Sequence, residues 1–279
     1  MDFELTPQQQ MILNYVAERQ LGLPRSYRVV DDMGKTQAWV AGVDGCSGGW
    51  LVVLRPLDDA GRAVRRLVAT FAEVLAIKPA PVMIGVDMPI GLPDVVGIGG
   101  RRADIEARSV LGGRQSSIFA VPSRAAVMET EYRAACAVAL ETSNPPRMVS
   151  KQCFFLFAKI REIDALMTPA LQGSVRETHP EVAFWALNGE TALSEPKKVK
   201  SRAHEAGLEL RRGLLERAGY DASFLRDRSG LRARDAGPDD LLDACVCAWT
   251  AARMVRGEGR RFPTEPLVDA RGLAMEIWG

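Results

Sequence analysis

The chain has 279 residues, 47% hydrophobic and 25% charged, enough to bury a sizeable core and too ordinary in composition for a disordered or collagen-like protein. Lys plus Arg number 36 against 35 Asp plus Glu; the formal charge of +1 excludes a global field drawing the chain onto a polyanion, so any such contact is local. No apolar run reaches membrane-spanning length, MDFELTPQQQ lacks a signal peptide's basic-then-apolar start, and the five cysteines (Cys46, Cys136, Cys153, Cys245, Cys247) form no CxxC pair, so a cytoplasmic protein with reduced thiols and no membrane partner is expected.

Thr6 and Pro7 read as an N-cap and first-turn proline, and Met11, Ile12, Tyr15 and Val16 form the apolar stripe of an amphipathic helix that ends before Gly22. Packing against the main domain or a contact with a second copy or partner both suit such a stripe, so a homodimer stays open. Residues 23–37 lack periodicity and read as a linker, which makes 1–37 an N-terminal appendage and 38–279 one domain. From Ala38 the pattern turns strand-like: WVAGVD, the Gly-rich corner GCSGG, WLVVLRPL, the turn DDAGRA and VRRLVAT, predicting an antiparallel meander of three strands. A helix over 71–78 stops at Pro79, and VMIGVD follows as a continuously apolar strand buried on both faces and ending at Asp87.

Residues from about 95 to 148 break the alternation, with Gly99, Gly100 and many arginines, and read as a partly helical insertion. Beyond it come a helix over 151–167, a short strand at 174–178, a long charged helix over 196–220 with Lys197 and Lys198 on its solvated face, and a largely buried helix beginning near Pro238. This order predicts an α/β fold: an RNase H-like core with a mixed five-stranded sheet, helices on both faces and a helical insertion.

The chemistry gathers at the strand ends. Asp44 follows a small, apolar run and emerges where the first core strand enters the Gly-rich corner; Asp87 ends the second buried strand in the same way. An unpaired buried carboxylate is costly, and if the two strands are neighbours the like charges converge and call for a cation. On the late helix, spacings of three and four residues put Asp243 on the face of Asp239 and Asp240. First-turn acids at 239 and 240 also suit the helix dipole, whereas Asp243 lies too deep in an apolar stretch for that account.

Asp44, Asp87 and Asp243 are therefore candidate ligands, with Asp240 or Glu177 as the fourth. Hard oxygen donors without a His or Cys cluster select Mg2+ or Mn2+. Two such ions about 3.5–4 Å apart would serve phosphodiester cleavage, with a nucleic acid or nucleotide as substrate. Arg114, Ser116, Ser117 and Arg124 place forked donors and hydroxyls in one stretch that suits phosphate, although a salt-bridged loop with Ser caps suits it equally. The glycines at 97, 99 and 100 lack the preceding strand of a dinucleotide fingerprint and imply no nucleotide cofactor.

GVDGCSGGW, GVDMPIGLP, the RxxDxxAR stretch with the LGxRxSSxFxxPxR that follows it, KIREID, ETHPEVAFWALNG and DDLLDA with AWTAAR together resemble the family called domain of unknown function 429, described as predicted RNase H-like nucleases. The resemblance runs from about residue 38 to 256 and implies the same fold, a metal-dependent nuclease and the same acidic ligands. One departure is Ser47, in a corner where the resemblance implies a basic residue. His179, just after the 174–178 strand, resembles the mobile histidine of RNase H enzymes that helps product leave; a satisfied structural histidine is the alternative, with Glu177 either a ligand or its orienting partner. Two other readings share the fold: a non-catalytic binding or scaffold protein, and an actin-like phosphotransferase, which usually needs two phosphate loops where this chain supplies one.

Overall fold

The computed structural model describes residues 29–30, 36–200 and 202–279, so the expected helix before Gly22 lies outside the described residues. Part of the stretch read as a linker is paired, Val29–Val30 running antiparallel to Thr36–Gln37.

The meander forms as expected. Strands β1 (Trp39–Cys46), β2 (Gly49–Pro56) and β3 (Val64–Val68) pair antiparallel in sequence, and the corner between β1 and β2 turns at Gly49, whose φ of +126° only glycine adopts without strain. Helix α1 (Phe71–Leu75), capped by the Thr70 side chain, leads to β4 (Met83–Asp87), which lies parallel to β1 on its other side. The fifth strand, β5 (Val175–Glu177), adds parallel to β4, giving a mixed sheet in the order β3-β2-β1-β4-β5 that is consistent with an RNase H-like core.

Between β4 and β5 run α2 (Arg102–Ser109), a 3-10 turn at Gly112–Ser117, α3 (Arg124–Met128), α4 (Tyr132–Glu141) and α5 (Phe157–Leu166). After β5 come α6 (Pro180–Leu187), α7 (Glu205–Arg217) and α8 (Pro238–Arg256). Alternation along the strands divides the core. Ala41, Val43, Val52, Leu54, Ile84 and Val86 pack under α1, α4 and α5, while Leu51 and Val53 face Phe184, Leu215, Leu242 and Cys245 of the later helices. All five cysteines are buried and free, and no helix among the described residues is long and apolar enough to cross a membrane.

One expectation needs correction, and one element had no expectation. The charged helix covers only Glu205–Arg217, and residues 196–204 are not helical: Lys198–Val199 pairs antiparallel with Arg202–Ala203. That segment lies against α7, where a Cβ at Gly207 would come within 1.9 Å of the Pro196 carbonyl oxygen. A C-terminal hairpin of β6 (Arg261–Val268) and β7 (Ala274–Trp278) was not expected. Its first strand carries Pro263 and Pro266, which break the strand signal in the sequence, and the pairing register shifts across them.

Candidate metal centre

Parallel pairing of β1 with β4 sets Asp44 opposite Asp87, and Gly42 opposite Gly85 two residues earlier, all on the face covered by α8. The two glycines let that helix lie directly on the strands. A Cβ on Gly42 would meet the Ala244 oxygen at 2.0 Å and the Ala248 nitrogen at 2.1 Å, and one on Gly85 the Cys247 oxygen at 2.8 Å. Held this close, the second turn of α8 brings Asp243 over the strand ends, and one carboxylate oxygen from each of Asp44, Asp87 and Asp243 lies within 4.8 Å of the others.

Three carboxylates in this space resist ionisation together. Burial, then the charges of Asp87, Asp243 and Asp240, pushes Asp44 well above the ordinary carboxylate value, although Lys197 pulls it back. Asp87 is pushed up to about 7 by burial and by Asp243 against the pull of Lys197, and Asp243 to about 6 by burial and Asp239, again against Lys197. The Lys197 ammonium contacts Asp243 Oδ2 and lies 3.9 Å from Asp239 Oδ2, while Lys198 pairs with that same Asp239 oxygen at 2.6 Å. Burial disfavours the charge on Lys197, but Asp243, Asp239, Asp87 and Asp44 more than offset it and hold its pKa above the lysine range.

Asp243 Oδ1 and Asp239 Oδ1 have no hydrogen-bond partner although both side chains are buried. Buried orphan oxygens beside two further carboxylates are a donor set that a hard divalent cation completes. The residues present thus fit Mg2+ or Mn2+.

Neither expected fourth ligand joins this group. Asp240 accepts the Gly237 N–H at 2.7 Å, closing the N-terminus of α8 while its charge still bears on Asp44, and of the adjacent pair it is Asp239 that pairs with the lysines beside the centre. Glu177 is held by the buried Arg101, at 2.6 and 2.8 Å, and by the Ile90 N–H at 2.7 Å; it neither joins the cluster nor orients His179. Burial still raises it to about 7 against that arginine. His179 precedes α6 with Nε2 3.3 Å from the Ser117 carbonyl oxygen, its Nδ1 is buried without a partner, and burial pushes its pKa down to about 4, so the ring is neutral near pH 7.

A cavity of about 440 Å3 joins these groups, with Asp44 and Asp87 on one side, Lys197 and Lys198 on another, and Arg114, Ser116, Ser117 and His179 along its wall. The Arg114 side chain has no hydrogen-bond or ion-pair partner among the described residues and lines the cavity as a donor for an anion. Arg124 does not reach the cavity with a free donor face. It is committed to Asp164 at 2.7 Å and to Asp269, tying the insertion to the C-terminal hairpin. The basic group missing at Ser47 arrives from α5, where Lys159 donates to the Gly49 carbonyl at 2.6 Å and lies over the Trp50 ring.

Lys159 and Lys197 reach the site from segments distant in sequence, and no spacing signal marks them. Gly42 and Gly85, each two residues before its aspartate, had a readable signal in their shared offset.

Compared with known proteins, residues 42–267 match the model of a family described as protein of unknown function (DUF429). No curated protein and no solved structure matches the chain.

Proposed function

Since the chain belongs to the DUF429 family, whose description assigns no activity, we propose from its own site that it is a divalent-metal-dependent phosphodiester hydrolase of the RNase H-like class, acting on a nucleic acid or nucleotide. One observation carries the reading: carboxylate oxygens of Asp44, Asp87 and Asp243 lie within 4.8 Å of one another, where β1, β4 and α8 meet, with Asp243 Oδ1 buried and unpartnered.

Asp44, Asp87 and Asp243 would hold Mg2+ or Mn2+, and the bound ion would polarise a phosphoryl oxygen and lower the pKa of a water. The chain's own groups do the rest. Arg114 offers forked donors to a non-bridging phosphate oxygen, and the Ser116 and Ser117 hydroxyls stand beside it on the cavity wall. His179, neutral because burial holds its pKa at about 4, can accept a proton at Nδ1 while its other ring nitrogen faces Ser117. The buried free thiols suit the reducing cytoplasm.

The test is hydrolysis of single-stranded, duplex, hybrid and branched substrates with Mn2+, comparing the wild type with Asp243→Ala. The variant should lose more than the roughly 100-fold that removal of an outer hydrogen-bonding partner of a metal ligand costs. Hydrolysis that survives Asp243→Ala, or no hydrolysis of any substrate by the wild type, overturns the reading in favour of a binding protein with the same fold.

A further inference from the structure

We infer that this centre takes up one divalent cation rather than two, and that the Lys197 ammonium fills the position of the second. The inference rests on the metal-binding reading above and specifies its stoichiometry.

The two oxygens of Asp243 have different partners. Its Oδ2 contacts Lys197, while Oδ1, on a side chain only 3% exposed, has no partner and is left to the ion shared with Asp44 and Asp87. Asp239 lies one turn earlier on the same face of α8, with Oδ2 on Lys198 at 2.6 Å and 3.9 Å from Lys197. The Asp243–Asp239 pair is the other set of buried carboxylates that would hold a second ion, and the Lys197 ammonium lies between their Oδ2 atoms.

Charge points the same way. The Lys197 and Lys198 ammoniums already return two positive charges to Asp243 and Asp239, so these carboxylates need less added cation than four unpaired ones would.

Lys197 is also no wandering surface lysine. The buried Arg211 donates to the Glu195 carbonyl at 3.1 Å, the His204 N–H donates to the Lys197 carbonyl at 2.9 Å, and the His204 ring lies 3.2 Å from the Pro196 oxygen. The backbone at Lys197 and the two residues before it is therefore fixed against α7 and its N-cap.

Calorimetric titration of the full chain with Mn2+ reads the stoichiometry directly. The wild type should bind one ion, Lys197→Gln two, and Lys198→Gln, which removes the neighbouring charge from outside the shared position, still one. Lys197→Met, closer in shape to lysine, should also bind two, and circular dichroism checks that each variant is folded. Two ions on the wild type, or a single ion on both folded Lys197 variants, overturns the inference while leaving the metal reading intact. No ion on the wild type, or equal uptake by Asp44→Asn, instead overturns the metal reading and this inference with it.

Discussion

An aspartate at the end of an apolar strand is stable only if its charge is removed or matched, and the centre shows both solutions. Without metal, protons are the remaining means of neutralisation beyond the two lysines, which is why Asp87 is raised to about 7 and Asp243 to about 6. Both folded values lie above the unfolded-chain value of about 3.9. Protonation therefore favours the folded chain: this contribution is fully present below about pH 4 and is lost as pH rises through 6 and 7. The metal-free protein should accordingly melt at progressively lower temperature between about pH 5 and 8. Asp87→Asn should flatten that slope and saturating Mn2+ should reverse it; a thermal series that stays flat for the wild type contradicts the assignment. Asp44, Asp87 and Asp243 were legible because each interrupts or ends an apolar run, where exposure cannot explain an acid. Which of Asp239 and Asp240 meets the lysines and which caps the helix was not legible, since it depends on the rotation of α8 about its axis, which tertiary contact sets. Arg124 escapes a local reading for a related reason: its partners Asp164 and Asp269 lie 40 and 145 residues away in sequence.

At the scale of elements, the centre exists because α8 lies directly on two strands. Gly42 is the contact that permits this, and Gly42→Ala should push the helix off the sheet. The new methyl would meet backbone atoms at 2.0 and 2.1 Å, which cannot swing aside as a side chain would. Overpacking of this kind costs about 1–3 kcal/mol and occasionally more, so a loss of about 3 kcal/mol in urea unfolding is expected, together with weaker Mn2+ binding as Asp243 moves away. Gly97→Ala, where a Cβ meets nothing within 4 Å, is the matched control. If Gly42→Ala kept wild-type stability and metal affinity, close helix-on-strand packing would not be what assembles the site. The sheet and α8 were readable from apolar runs too continuous for any exposed element. Residues 196–204 were not, because their lysines lead into the polar-apolar pattern of α7 as though one helix covered both. What decides otherwise is long-range: the ammonium of Lys197 is drawn to carboxylates on a different helix.

For the whole molecule, a formal charge of +1 means that any nucleic acid must be held by a few local cations. At the cavity, Lys197 and Lys198 are already paired with aspartates, whereas the Arg114 side chain has no partner among the described residues. Phosphate binding there should release only about one or two counterions. For a single strand each neutralised phosphate contributes a slope of about −0.7 to the plot of log affinity against log salt, so a fluorescent single-stranded oligonucleotide, titrated without metal, should give about −1. Arg114→Gln should bring the slope close to zero while leaving Mn2+ affinity unchanged, because its guanidinium lines the cavity without touching the carboxylates. A wild-type slope steeper than about −4 would require an extended basic surface contacting roughly six phosphates. Recognition would then belong to the arginine-rich exterior of the insertion, and the cavity would only act on what that surface had already bound.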